Sequence, residues 1–384
     1  MHRIRFLIHS LAHLVNDSYG GFLAPLLPLL AARHELSLVT TGFLVTIVTL
    51  SASLAQPFWG WLSDRHPHRG YIVGGVFASG LFFSMIGIAP NLVVLVIVII
   101  AGGLGISCFH PMATAVASDM TVRRKGLAIA FFVTAGTSGF ALGPVFVALL
   151  VETVGLHWMP IAAVPALLVA VIWLLFGPRG ISGTNKTDSV GTLQNSAPAI
   201  PYSPIILLTS SSILRGVCIL IFTNFMSFHL ETMGLSLKSY SFYIFALQFG
   251  GSMGVLVCGS LSDKIGRWRV MLWTPVVSTP LFYLFLRTEG TLSFIALFLA
   301  GFFIFASAPA VIVAAQKMMF RREAMASALQ IGLAWGTAGL LMGPVGKLGE
   351  VIGVYNLLLA TALVPILLSV MTLLITPFRN QLEA

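Results

Sequence analysis

Between His9 and Pro28 the chain reads HSLAHLVNDSYGGFLAPLLP, a run apolar enough to cross a bilayer that still carries two histidines, an Asn and an Asp. At helical spacing His9, His13 and Asp17 fall at i, i+4 and i+8 on one stripe, with Asn16 and Gly20 beside it. Counting from Arg5 at ~1.5 Å per residue puts Asp17 roughly 18 Å into a hydrocarbon layer about 30 Å thick. A carboxylate at that depth is costly unless it faces a polar cavity, and beside imidazole it can take and release a proton. Proton binding is therefore the chemistry this spacing offers. His9, His13 and Asp17 also have the spacing of metal ligands, but three residues on one helix face with no cysteine give a metal little support, and none is expected.

Two more ionisable groups come out at similar depth. GISCFHPMA, 105 to 113, sets His110 before Pro111 roughly 20 Å in, and Arg215 lies about 17 Å in. Asp17, His13 and His110 are the expected proton-coupling residues. The expected substrate-binding residues are Arg215, Asn16, His9, Tyr19, Gln56, Asn224, Gln248 and Gln330. One arginine among several histidines suits a small polar or anionic molecule better than a lipophilic cation.

These groups sit in a chain of 384 residues that is 57% hydrophobic and 9% charged. No soluble domain of this length hides so much apolar surface, so the chain reads as an integral membrane protein with the lipid bilayer as partner. The net charge of +9 could point to nucleic acid, but its distribution along the chain excludes that reading. Cys108, Cys218 and Cys258 lie singly in apolar segments and read as packing residues. No GxxxxGK[ST] loop is present, so direct ATP use is not expected, and no cofactor is implied. An enzyme would need a nucleophile with its base, or a metal cluster, at one depth. The basic start precedes a polar stripe that interrupts any signal-peptide core, so the first span is expected to be retained.

Apolar runs between short polar breaks give twelve expected spans, near 5 to 31, 39 to 62, 71 to 88, 92 to 119, 126 to 151, 158 to 177, 204 to 230, 240 to 262, 270 to 287, 292 to 318, 324 to 348 and 356 to 376. They form two bundles, 1–177 and 204–384, joined by a Gly-, Ser-, Thr-, Asn- and Pro-rich linker at 178–203. Most of the 21 Lys and Arg fall in one alternate set of breaks. Arg33, Lys238, Arg287 and Lys347 lie on the other side, and Arg215 is inside the seventh span. Both termini and the linker are thus expected in the cytoplasm.

The bundles repeat each other. GWLSDR at 60–65 matches GSLSDK at 259–264, an offset of 199, and GTSGFALGPV at 136–145 matches GTAGLLMGPV at 336–345, an offset of 200. A duplication in parallel topology puts a pseudo-twofold along the membrane normal, with Arg215 at the position equivalent to Asn16. Asp64 is expected to cap a helix across the bundle interface and to pair with Arg123 or Arg124. Arg65, Asp263, Lys264 and Arg267 complete a cytoplasmic gating set. Gly139, Gly143, Pro144, Gly339, Gly343 and Pro344 read as close helix packing, expected where the halves slide on one another.

The paired GxLSDR/K loops resemble the signature of the major facilitator superfamily, the first copy replacing the usual glycine turn with His66-Pro67-His68. Together with HLVNDSYGGFLAPLLP, QPFWGWLSDRHP, GLGISCFHP and GFALGP, the chain is similar over essentially its whole length to the fosmidomycin-resistance type. One departure stands out: Met112 occupies a position after His-Pro where that type commonly has an acidic residue. The resemblance implies twelve helices in the major facilitator fold. It also implies a proton-linked drug exporter, expected to work as a monomer in the inner membrane by alternating access. Topology does not encode flux direction, and a proton-coupled importer of an organic anion uses the same parts.

Overall fold

Without water in the hydrocarbon layer, every backbone N–H and C=O must be bonded within the protein, which leaves the helix as the natural element for this chain. The computed structural model describes residues 2–120, 125–178, 202–319 and 322–380, and all its regular elements are helical. In chain order they are α1 His2–Gly20, α2 Leu23–His34, α3 Leu38–Ser53, α4 Gln56–Arg65, α5 Gly70–Ser84, α6 Leu92–Asp119, α7 Lys125–Val154, α8 Ala163–Phe176 and α9 Tyr202–Thr232. They continue as α10 Leu237–Ile265, α11 Arg267–Arg287, α12 Gly290–Ala306, α13 Ala308–Met318, α14 Glu323–Ala328, α15 Ala334–Leu340, α16 Met342–Ile352, α17 Val354–Thr361 and α18 Val364–Leu374.

Proline explains where spans break. Lacking an N–H, it cannot bond the carbonyl four residues earlier. Pro25, Pro57, Pro309, Pro344 and Pro365 thereby deprive the carbonyls of Gly21, Ser53, Phe305, Leu340 and Thr361 of their usual helical donor. Those carbonyls fall at or beside the junctions α1/α2, α3/α4, α12/α13, α15/α16 and α17/α18. Pro111 and Pro144 sit within α6 and α7, which continue through them.

Among the described residues ten helical stretches are long and apolar enough to cross a membrane, or eleven if the pair Met325–Leu340 and Met342–Ile352, bent by 42°, is one span. The expected first span is the exception. It is broken into α1 and α2, and its polar stripe lowers its hydropathy.

Contacts divide the chain into two compact units, Met1–Leu26 with Ile47–Asn195, and Leu27–Thr46 with Ser196–Ala384. Within the first unit α1 packs against α5, α6, α7 and α8. Within the second, α9 packs against α10, α13, α15, α17 and α18. The first long helix of each unit is thus its centre, which brings any polar group on it into reach of several neighbours.

The glycine motifs allow this crowding. A Cβ at Gly139 or Gly143 would strike the carbonyl oxygens of Leu14 and Ser18 on α1. This first copy therefore packs α7 onto α1 inside one unit, rather than forming the sliding contact between halves expected from the sequence. The physical reason is that α1, as the unit's centre, must meet its neighbours backbone to backbone. In the second copy Thr46 Oγ1 donates to the Gly339 carbonyl at 2.6 Å, and Gly343 lies against the Phe43 ring. Pro144 covers Gly21, and Pro344 accounts for the bend after α15.

Candidate functional site

In the first unit Asp17 stands at the meeting of α1 and α6. Its Oδ2 lies 3.1 Å from His13 Nε2 and its Oδ1 3.4 Å from His110 Nε2. Asn16 Nδ2 donates to Oδ1 at 3.0 Å, and Ser79 on α5 donates to Asn16 Oδ1 at 2.9 Å. The side chains of His13, Asp17 and His110 are 7%, 16% and 25% exposed, so access to the cluster lies on the His110 side.

Hydrogen positions follow from the partners. His13 Nδ1 is 2.8 Å from the Phe132 carbonyl oxygen, which only accepts, so Nδ1 carries a hydrogen. Nε2 of a neutral ring would then present a lone pair to a carboxylate oxygen 3.1 Å away. Two acceptors at that distance need a hydrogen between them. Either His13 is an imidazolium or Asp17 is a carboxylic acid, and the pair holds a proton in both forms. A Cβ at Gly136 would press on the His13 ring and lie 2.7 Å from Asp17 Oδ2, so a side chain there would displace the pair.

Two residues of the same stripe go elsewhere. His9 is fully buried, its Nε2 donating to the Ala113 carbonyl at 2.8 Å while Nδ1 accepts from Trp173 Nε1 at 3.1 Å. Both ring nitrogens are occupied, and the ring stacks on Phe132. The Tyr19 hydroxyl donates to the Ala162 carbonyl at 2.6 Å and accepts from Ala166 N–H at 3.2 Å, bracing the start of α8.

The second unit has a cationic cluster. Arg215 on α9 is 6% exposed and donates to Ser307 Oγ at 3.3 Å and Ser212 Oγ at 3.1 Å. Ser212 donates to Gln330 Oε1 at 2.7 Å, and Gln330 Nε2 donates to Thr209 Oγ1 at 3.0 Å. Among the described residues no carboxylate pairs with this guanidinium, and two of its five N–H groups are engaged by these contacts. Gln330 lies in a π-helical turn, Leu329–Leu333, a local departure found often at functional sites. Ser307 sits at the α12/α13 break made by Pro309.

The other expected binding residues are more local. Gln56 donates to Ala52 at 2.9 Å and Asn224 to Leu220 at 2.9 Å, each on its own helix or at its start. Gln248 donates to Thr223 Oγ1 at 2.7 Å. Met112 is buried.

Of the gating set, Arg123 and Arg124 lie outside the described residues, as does the side chain of Asp263. Asp64 and Lys264 are exposed and Arg267 is half-buried. The Arg65 guanidinium lies over the Trp61 ring at 4.2 Å.

Sequence reasoning missed Ser79, Trp173, Thr209, Ser212 and Ser307. Only Ser212, three residues before Arg215, carried a usable signal. The others reach their partners through tertiary packing.

A family model described as Major Facilitator Superfamily matches residues 10–344. The chain is 27% identical to the Fosmidomycin resistance protein of Escherichia coli (strain K12), covering 97% of this chain and 92% of that one. It is 25% identical to the Multidrug resistance protein MdtG of Proteus mirabilis (strain HI4320), covering 66% of each. A bacterial homolog of the human lysosomal transporter Spinster shares its fold with a TM-score of 0.76 at 14% identity, covering 100% of this chain and 98% of that one.

Proposed function

The chain belongs to the Major Facilitator Superfamily and is a multi-pass membrane transporter; from that premise we propose that it exports a small polar or anionic drug-like molecule in exchange for protons, by alternating access. It works as a monomer in the inner (cytoplasmic) membrane, with both termini in the cytoplasm. The observation that carries this reading is the His13–Asp17 contact at 3.1 Å, in which two groups with facing lone pairs share a proton. Asn16, Ser79 and His110 hold that pair in place from three further positions.

Substrate is assigned to the second unit. A buried guanidinium with spare donors and no carboxylate partner among the described residues is an anion receptor, since Arg presents a planar fork that matches carboxylate and phosphate groups. Each cluster ties the central helix of its unit to other helices of that unit, so filling either one alters the packing of the helix that carries it. The relatives named for fosmidomycin and multidrug resistance favour export over import.

The test is transport in proteoliposomes with a set proton gradient, comparing the wild type with Asp17→Asn and Arg215→Gln, each checked for a monodisperse elution profile. Asp17→Asn is expected to abolish gradient-driven flux and leave substrate binding. Arg215→Gln is expected to weaken binding of anionic substrates at least tenfold, the loss of a charged hydrogen-bonding partner. Gradient-driven flux retained in a folded Asp17→Asn protein removes the carboxylate from the coupling.

A further inference from the structure

We propose that His13, Asp17 and His110 form a binding site for a divalent transition-metal ion of the zinc class, and that an ion seated there blocks transport. Binding rests on the donor geometry alone; the block also rests on the reading of this cluster as the proton site.

One ligand atom from each residue lies within 4.8 Å of the other two. The separations of 3.1 Å from His13 to Asp17 and 3.4 Å from His110 to Asp17 bracket the spacing of about 3.3 Å between ligands of a tetrahedral zinc with bonds of about 2.0–2.1 Å. Asp17 meets the two imidazoles through different oxygens, and a small turn of the carboxylate offers one oxygen to an ion between them.

An independent feature points the same way. Metal-binding histidines usually commit their second nitrogen to a carbonyl or carboxylate, which turns the remaining lone pair toward the ion. His13 does this with the Phe132 carbonyl, and Asn16, itself held by Ser79, fixes the carboxylate. Two imidazoles and one carboxylate suit zinc and its neighbours, whereas calcium and magnesium prefer all-oxygen shells. Three protein ligands leave a fourth position open, and the exposure of His110 supplies access to it. The sequence alone argued against a metal because it offered three ligands on one helix. The fold replaces His9 with His110 from α6, and so supplies ligands from two helices. An ion bridging α1 and α6 would tie the two helices together and occupy the lone pairs that otherwise share the proton.

The test uses the full chain in detergent, purified through a tag without histidines and titrated calorimetrically with zinc chloride alone, then with cobalt(II) to read coordination from its visible absorption. About one zinc per chain is expected, with tetrahedral cobalt bands. His110→Ala and Asp17→Asn should each weaken binding at least tenfold, while His229→Gln, in the second unit, leaves it unchanged. Absence of micromolar binding, or binding that His110→Ala does not weaken, overturns the proposal. If Asp17→Asn does not fold, His110→Ala decides alone, its side chain being a quarter exposed. Because the titration involves neither gradient nor substrate, zinc binding in a chain that fails to couple protons sinks the exporter reading and keeps the site. Proton-driven flux that persists at saturating zinc overturns the block.

Discussion

Histidines His9 and His13 are one helical turn apart, yet they have opposite standing. His9 spends both nitrogens on protein, between the Ala113 carbonyl and the Trp173 indole, so it is fixed as a neutral ring. His13 spends one nitrogen on the Phe132 carbonyl and turns the other to Asp17, where a proton has two places to reside. His9→Phe should therefore lower stability by about 1–3 kcal/mol, the cost of leaving buried polar partners unsatisfied. The same variant should leave the proton-to-substrate ratio unchanged. Thermal unfolding in detergent and coupled flux in proteoliposomes check the two parts, and a changed ratio would return His9 to the working site. Removing Asp17 leaves two histidines without their shared anion, which is why its loss should act on coupling more than on affinity.

Helix junctions and helix contacts set where those residues can act. Proline removes one helical hydrogen bond at each of five junctions, and one of them places Ser307 opposite Arg215. Elsewhere the α1–α7 contact depends on the absence of a side chain, because a Cβ at Gly139 or Gly143 meets backbone that cannot move aside. Gly143→Leu should therefore cost more than the ~1–3 kcal/mol typical of overpacking a core. It would push α7 off the helix that bears Asp17. Yield of monodisperse protein and its melting temperature measure this. A fully stable Gly143→Leu would mean that α1 and α7 do not need their close approach. Gly136 sits one turn before Gly139 and two before Gly143, directly over the His13–Asp17 pair, so packing and chemistry share one contact.

For the whole molecule, the units centred on α1 and α9 carry different polar clusters, a proton-holding His–Asp pair in one and a guanidinium in the other. Direction is settled with the protein in everted membrane vesicles: acidifying the lumen should drive substrate into it, because the vesicle lumen corresponds to the outside of the cell. Depletion of substrate from the lumen would establish import.

Composition by itself determined that this chain lives in a membrane, since 57% hydrophobic residues and sparse charge leave no alternative solvent. The internal repeat gave the duplication, and periodicity placed His13 and Asp17 on one face, because those features are local to a helix or additive along the chain. Counting depth put His110 at the level of Asp17, but which histidines touch the carboxylate was not local. His9, His13 and Asp17 share a stripe, but the rotation of α1 among α6, α7 and α8 sends His9 to Trp173 and brings His110 in its place. The serines that hold Arg215 were hidden for the same reason. A helix's own sequence fixes which residues share a face, while the partners on other helices are chosen only when close packing decides which faces meet.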